Sequence, residues 1–123
     1  MEADQLGRLP DILHAARLIA SYVQGVSEET FLADTQKQDA VIRRIEIIGE
    51  ATAHLTEVTR RAIPDLPFRQ MRGMRNIVAH DYGNVDLRIV WQVATAHVPK
   101  VRAVLERFLD NLHPNHGEDR APS

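Results

Sequence analysis

Apolar residues recur along this chain at steps of three and four, and strict apolar–polar alternation is scarce, so the pattern predicts helices rather than strands. A first helix is expected from about Leu9 to Val23. Ile12, Ala16, Ile19 and Val23 form its apolar stripe, Pro10 suits the first turn, where no amide donor is needed, and Gly25 closes it. Ser27 opens a short helix through about Leu32, with Glu28 and Glu29 well placed in the first turn. A long helix follows from about Thr35 to Leu55 and turns Val41, Ile42, Ile45, Ile48 and Thr52 inward. Gly49 lies inside it. A mid-helix glycine costs about 0.8–1 kcal/mol relative to alanine, so its expected use is the close approach of another helix.

A short helix around residues 57–63 should end at the Pro64–Asp65–Leu66–Pro67 punctuation. The next begins at Pro67 or Phe68 and carries Met71, Met74, Ile77 and Val78 towards His80. The last, from about Asp86 to Leu112, has the cleanest stripe: Leu87, Trp91, Ala94, Val98, Val101, Leu105, Phe108 and Leu112. Asp86 is its expected N-cap, and Pro99 should kink it by removing one backbone bond. Residues 113–123 carry no apolar periodicity and are expected to fray. These elements predict an all-α chain, an antiparallel helical bundle with additional short helices over residues 1–112, followed by a flexible tail over 113–123.

Composition narrows the picture. With 123 residues, 44% hydrophobic and 26% charged, the chain fits one globular domain. No apolar run approaches the roughly 18 residues that span a bilayer, and the acidic, polar N-terminus does not read as a secretory signal. Cysteine is absent, which excludes disulfides and thiolate zinc sites and fits the expected cytoplasmic location. The formal charge is −2, against bulk electrostatic coating of nucleic acid. That charge is unevenly spread: six arginines between Arg60 and Arg88 face only Asp65, Asp81 and Asp86, a local balance of +3 against −5 for the rest. Arginine's planar fork matches phosphate.

Inside the basic segment lies the stretch MRGMRNIVAHDYGNVD, which places Arg75, His80 and Tyr82 in the pattern R-x-x-x-x-H-x-Y. Arg72, Asn76 and His80 are spaced at four and share one helical face, with Arg75 adjacent. Gly83 lets the chain turn after the tyrosine. A guanidinium, an imidazole and a phenol brought together suit RNA phosphodiester cleavage without a metal or cofactor. Imidazole titrates near pH 6.5 and can exchange protons with the 2′-hydroxyl and the leaving 5′-oxygen, while guanidinium neutralises charge growing on the phosphorane. One motif histidine cannot easily be base and acid at once, and a symmetric dimer would supply two. Glu46, Glu50 and His54, spaced at four, form a weaker pattern. They suit a solvated face, or an ion pair from Glu50 to a motif arginine, better than a metal site, because no Glu-x-x-His pairs on two helices accompany them.

At these residues the sequence resembles the HepT-type ribonuclease toxins of the HEPN superfamily, whose signature is arginine, four to six residues, then histidine. The blocks SYVQGVSEETFLAD, DAVIRRIEIIGEA and MRGMRNIVAHDYGNVDLRIVW extend the resemblance over roughly residues 4–110. It implies a helical homodimer whose catalytic Arg75 and His80 line a cleft between subunits, with Asn76, Asp81 and Arg72 in support. It also implies an RNA substrate, single-stranded or transfer RNA, and an MntA-like nucleotidyltransferase antitoxin that transfers adenylate to Tyr82, in a type VII-like toxin–antitoxin pair. A nucleotidyl group there would put a bulky phosphodiester beside Arg75, in the place the substrate phosphate needs. Phe68 departs from the tryptophan expected after the proline, which bears on packing rather than chemistry. The alternative reading is a non-catalytic helical dimer that binds a nucleotidyltransferase or a nucleotide.

Overall fold

A computed structural model describes residues 1–79 and 85–112, and for Val78 and Ala79 the backbone only. The apolar stripes close into an all-helical bundle, with no strand among the described residues. In chain order come α1 (Ala3–Val23), α2 (Glu28–Leu32), α3 (Thr35–Ala53), α4 (Glu57–Ala62), α5 (Phe68–Ala79) and α6 (Leu87–Gln92). A π-helical turn (Val93–His97) then leads into α7 (Val98–Leu112). α3 packs against both α1 and α5, and α1 also packs against α7. The tail at 113–123 lies outside the described residues. Among those residues, no helix is long and apolar enough to cross a membrane.

The core is the meeting of the expected stripes. Leu9, Ile12 and Ile19 of α1, Val41, Ile45 and Ile48 of α3, Met71 and Met74 of α5, and Val98, Val101 and Leu105 of α7 are all buried. Phe31 of α2 is fully enclosed, its ring tilted against half-buried Trp91 with centroids 5.2 Å apart. Burying one such side chain contributes about 1.5–3 kcal/mol, against about 0.2–1 kcal/mol for an exposed ion pair. The stripes therefore decide the fold, and short polar side chains decide where helices start. Ser27, Asp34, Thr56 and Asp86 each accept a backbone N–H from the following turn. Gln38, itself buried, donates to the carbonyls of Phe31 and Leu32 at 3.0 and 3.1 Å and so satisfies the end of α2.

Two expectations need correction. α1 begins at Ala3 rather than near Leu9, which puts Pro10 inside the helix. The additional turns are held by Gln5, only 2% exposed, whose amide Nε2 donates to the carbonyl of His54 at 3.0 Å. Its Oε1 accepts from the N–H of Thr56 and the hydroxyl of Thr59, both at 2.8 Å. One side chain of α1 thus joins the end of α3 to the start of α4.

The last helix is not a single kinked rod but α6, a π turn and α7. Pro99 has no N–H for the carbonyl of Thr95, and its ring crowds that carbonyl; the wider turn just before it, closed by the N–H of Val98 on the carbonyl of Val93, accommodates both. The wide turn also shifts the buried phase. Val90, Ala94, Val98, Val101 and Leu105 are buried, so two steps of four cross the π segment, while Leu87 and Trp91 of the expected stripe are only half-buried.

Glu106 ties α7 to itself and to α1. It accepts from Arg102 at 2.6 Å and lies 3.4 Å from Arg17. The Arg102 hydrogen bond outweighs the opposing effect of burial and, with lesser help from the charges of Arg102 and Arg17, holds the carboxyl below its ordinary 4.5. A depressed folded value contributes stability above the unfolded value and loses it as pH falls through the folded one. Glu106→Gln should therefore melt slightly below wild type at pH 7, with the two melting curves converging below about pH 4. Gln5→Leu should cost more, about 1–3 kcal/mol in denaturant unfolding, because it strands the buried hydroxyl of Thr59 and the part-buried carbonyl of His54 and N–H of Thr56. Wild-type stability in Gln5→Leu would show that the α1–α3–α4 junction does not depend on this amide.

Candidate functional site

The turn before α5 is pinned by buried Ile63 and Leu66, and the carbonyl of Pro67 accepts the N–H of Met71 at 3.0 Å. This sets the rotation of α5. Met71 and Met74 enter the core, while Arg69, Arg72, Arg75 and Asn76 project to solvent. At about 100° per residue the four polar positions share one arc and the methionines another.

The depth of α5 is set by Gly49. A Cβ built on Gly49 would lie 2.7 Å from the backbone nitrogen of Arg75 and 2.9 Å from its Cα and Cβ. No flexible side-chain end could yield there, so only glycine admits this approach. The expectation for Gly49 holds, and the helix it admits is met at Arg75 itself.

Beside this contact is an open cleft of about 810 Å³, where the end of α3, α4 and α5 meet. Arg60, Arg69, Arg72 and Arg75 line it with Asn76 and the half-buried ring of Phe68; Gly73 and Ala53 complete the lining. No acidic residue lines it among the described residues. Arg8, Arg17, Arg43, Arg61 and Arg102 each lie within 4 Å of a carboxylate elsewhere on the surface. Among the described residues the four cleft arginines have no such partner. Arg60 is steadied by a 3.3 Å bond from Nη1 to the carbonyl of Leu55, just past the end of α3, where the helix dipole favours a cation. Four guanidinium groups with no counter-charge among the described residues suit an anion with several charges.

Of the residues expected to form the site, Arg72, Arg75 and Asn76 come together in this cleft. His80, Asp81, Tyr82 and Gly83 lie outside the described residues. Arg60, Arg69 and Phe68 join the cleft without having been singled out as site residues. The signal for them was present in the count of six arginines and in the spacing of 69, 72 and 76, which is helical. The expected ion pair from Glu50 to a motif arginine is not found among the described residues. Gly49, not Glu50, faces Arg75, and Glu50 points about 100° further round α3, where it is exposed. Glu46 instead accepts from Arg43 at 2.7 Å.

Among the described residues, the helical bundle presents an arginine cleft with no acid in its lining, an arrangement whose charge and planar forks suit phosphate. The family model described as Ribonuclease HepT-like matches residues 12–108, and the chain belongs to that family of ribonucleases. It is 36% identical over 100 residues to the "Probable ribonuclease HepT" of Thermococcus cleftensis, covering 81% of this chain and 91% of the relative. A "Putative RNase" of Methanocaldococcus jannaschii is 33% identical over 98 residues, 80% of this chain and 90% of its own length. Another "Putative RNase", from Caldanaerobacter subterraneus, is 31% identical over 101 residues, 82% and 90% of the two chains. No solved structure matches the chain.

Gly49→Ala should displace the backbone of Arg75. Overpacking of about 1–3 kcal/mol opposes a gain of about 1 kcal/mol in helix propensity, for an expected net loss of up to about 2 kcal/mol. Denaturant unfolding and RNA cleavage measured on the same preparation should fall together, and a variant equal to wild type in both would show that the two helices part without cost.

Proposed function

We propose that the protein is a metal-independent endoribonuclease, the toxin of a type VII-like toxin–antitoxin pair, with Arg75 and His80 at the reacting phosphate. The observation that carries this reading is the arginine cleft beside the α3–α5 contact at Arg75, in a chain of the HepT-like family. In the proposed step the 2′-oxygen attacks phosphorus as an imidazole removes its proton, and the bond from phosphorus to the 5′-oxygen breaks as that oxygen gains a proton. The products are a 2′,3′-cyclic phosphate and a free 5′-hydroxyl. Arg75 meets the charge that grows on the phosphorane oxygens, a contact stronger in the transition state than in the ground state. Arg72 and Asn76 hold the neighbouring backbone, and Asp81 supports the motif histidine.

Two protons move and each chain carries one motif histidine, so the working form is a homodimer in which both copies of His80 serve one cleft. Neutralisation falls to an MntA-like nucleotidyltransferase, through binding, adenylylation of Tyr82, or both. An adenylate on Tyr82 brings a phosphodiester of its own to the arginines.

Purified protein should cleave single-stranded or transfer RNA in EDTA and leave the cyclic phosphate or its 3′-phosphate hydrolysis product. His80→Ala should lose about 10²–10⁴-fold, and Arg75→Ala about 10²–10³-fold. Uncleaved RNA, or equal rates for wild type and both variants, would leave only the binding-module reading. In that case expression without the partner would be harmless in every form. Co-expression with the nucleotidyltransferase should add adenylate mass that Tyr82→Phe abolishes.

A further inference from the structure

α3 and α5 each carry an interior glycine, and among the described residues only one of the two has a neighbour at its Cβ position. Gly49 is accounted for by the backbone of Arg75. Gly73, at the sixth position of the twelve-residue α5, is not: a Cβ built on it meets nothing within 4 Å among the described residues. Its backbone is ordinary helix as well, since Gly25 is the glycine with positive φ. Alanine would fit at 73 and would favour the helix. Gly73 thus gives up helix stability with no return in packing among the described residues, and what sets it apart is the surface it lies on. That surface is the arginine cleft, between Arg72 and Asn76. Gly7 of α1 is equally open but lines no such cleft, so it serves as the comparison.

We propose that Gly73 is the point at which a single-stranded RNA backbone lies directly on α5. Without a Cβ the helix surface lets a sugar–phosphate approach its main chain, while Arg69 and Arg72 on one side and Asn76 on the other hold the flanking phosphates. Arg60 faces the strand from α4. From Arg69 to Asn76 the helix rises about 10 Å. One duplex strand places a phosphate about every 3.4 Å of axis, so at that spacing this row spans roughly three or four of them. Gly73 is therefore a positioning residue, and the cleft grips backbone rather than reading bases. The nature of the strand rests on the function proposed above.

The test compares Gly73→Ala with Gly7→Ala. Both should melt a few degrees above wild type. Only Gly73→Ala should bind a single-stranded 2′-O-methyl RNA oligonucleotide at least tenfold more weakly by fluorescence anisotropy at fixed salt, with a matching loss of kcat/KM on cleavable RNA. The methylated probe lacks the 2′ nucleophile, so it reports binding even if wild type cleaves nothing, and failure of the nuclease reading is seen separately. Wild-type affinity in a stabilised Gly73→Ala would overturn the proposal, and so would failure of wild type to bind the probe. A lower melting temperature would assign the glycine to the fold, and altered sedimentation would assign it to contact between copies; either result overturns the proposal.

Discussion

The passage of α5 across Gly49 is the contact on which the rest of the molecule's working surface depends. It is a constraint of space rather than of attraction: a backbone atom of Arg75 occupies the volume a side chain would need. Once the two helices meet at that depth, Met71 and Met74 can close on the core and the opposite arc of α5 must face solvent. The arginines of that arc share a direction because the methionines leave no other rotation. The position of the cleft thus follows from packing, although nothing in the packing requires its charge.

That charge runs against local stability. Arg69 with Arg72, and Arg72 with Arg75, are like-charged neighbours three apart on one helix, an arrangement that costs a few tenths of a kcal/mol for each pair. Elsewhere Arg8, Arg17, Arg43, Arg61 and Arg102 lie beside carboxylates, and α4 shows both habits within two residues: Arg61 pairs with Glu57, while Arg60 turns to the cleft. Four arginines together, without an acid among the described lining residues, leave room for an anion. Solvent exposure makes this tolerable, because water screens the repulsion that a buried cluster would suffer.

Much of this could be read from the residues alone, and the parts that could not have a physical reason. Long stripes such as Val41, Ile45 and Ile48 and small caps such as Ser27 and Asp86 act within one helix, so spacing reveals them. Gly49 was legible as a close approach because an interior glycine has few other uses. Gln5 was not, since its partners lie about fifty residues away at His54, Thr56 and Thr59, and a glutamine in a polar segment looks like surface. The π turn was hidden for a related reason: Pro99 announces a lost hydrogen bond, but whether the helix bends or widens depends on which residues the neighbouring helices can bury. Arg60 reached the site through the same Gln5 junction, which places α4 against the end of α3. Long-range polar contacts therefore hid part of the site, while the arginines of α5 lay open in the pattern.

Under the proposed reading the cleft residues divide by when they act. An arginine that grips a phosphate equally before and during reaction lowers the concentration of RNA needed but leaves the chemical step unaided, whereas one that meets charge only as the phosphorane forms lowers the barrier. Arg60 and Arg69 come from separate elements along the cleft, and their geometry suits the first role, holding strand phosphates that do not react. Arg75 suits the second, because its main chain is packed against Gly49 of α3. Fixed charge is what transition-state stabilisation requires, since a group that must first reorganise spends part of its interaction on moving. The close helix contact then does two things at once: it completes the core, and it removes freedom from the one arginine whose position matters most.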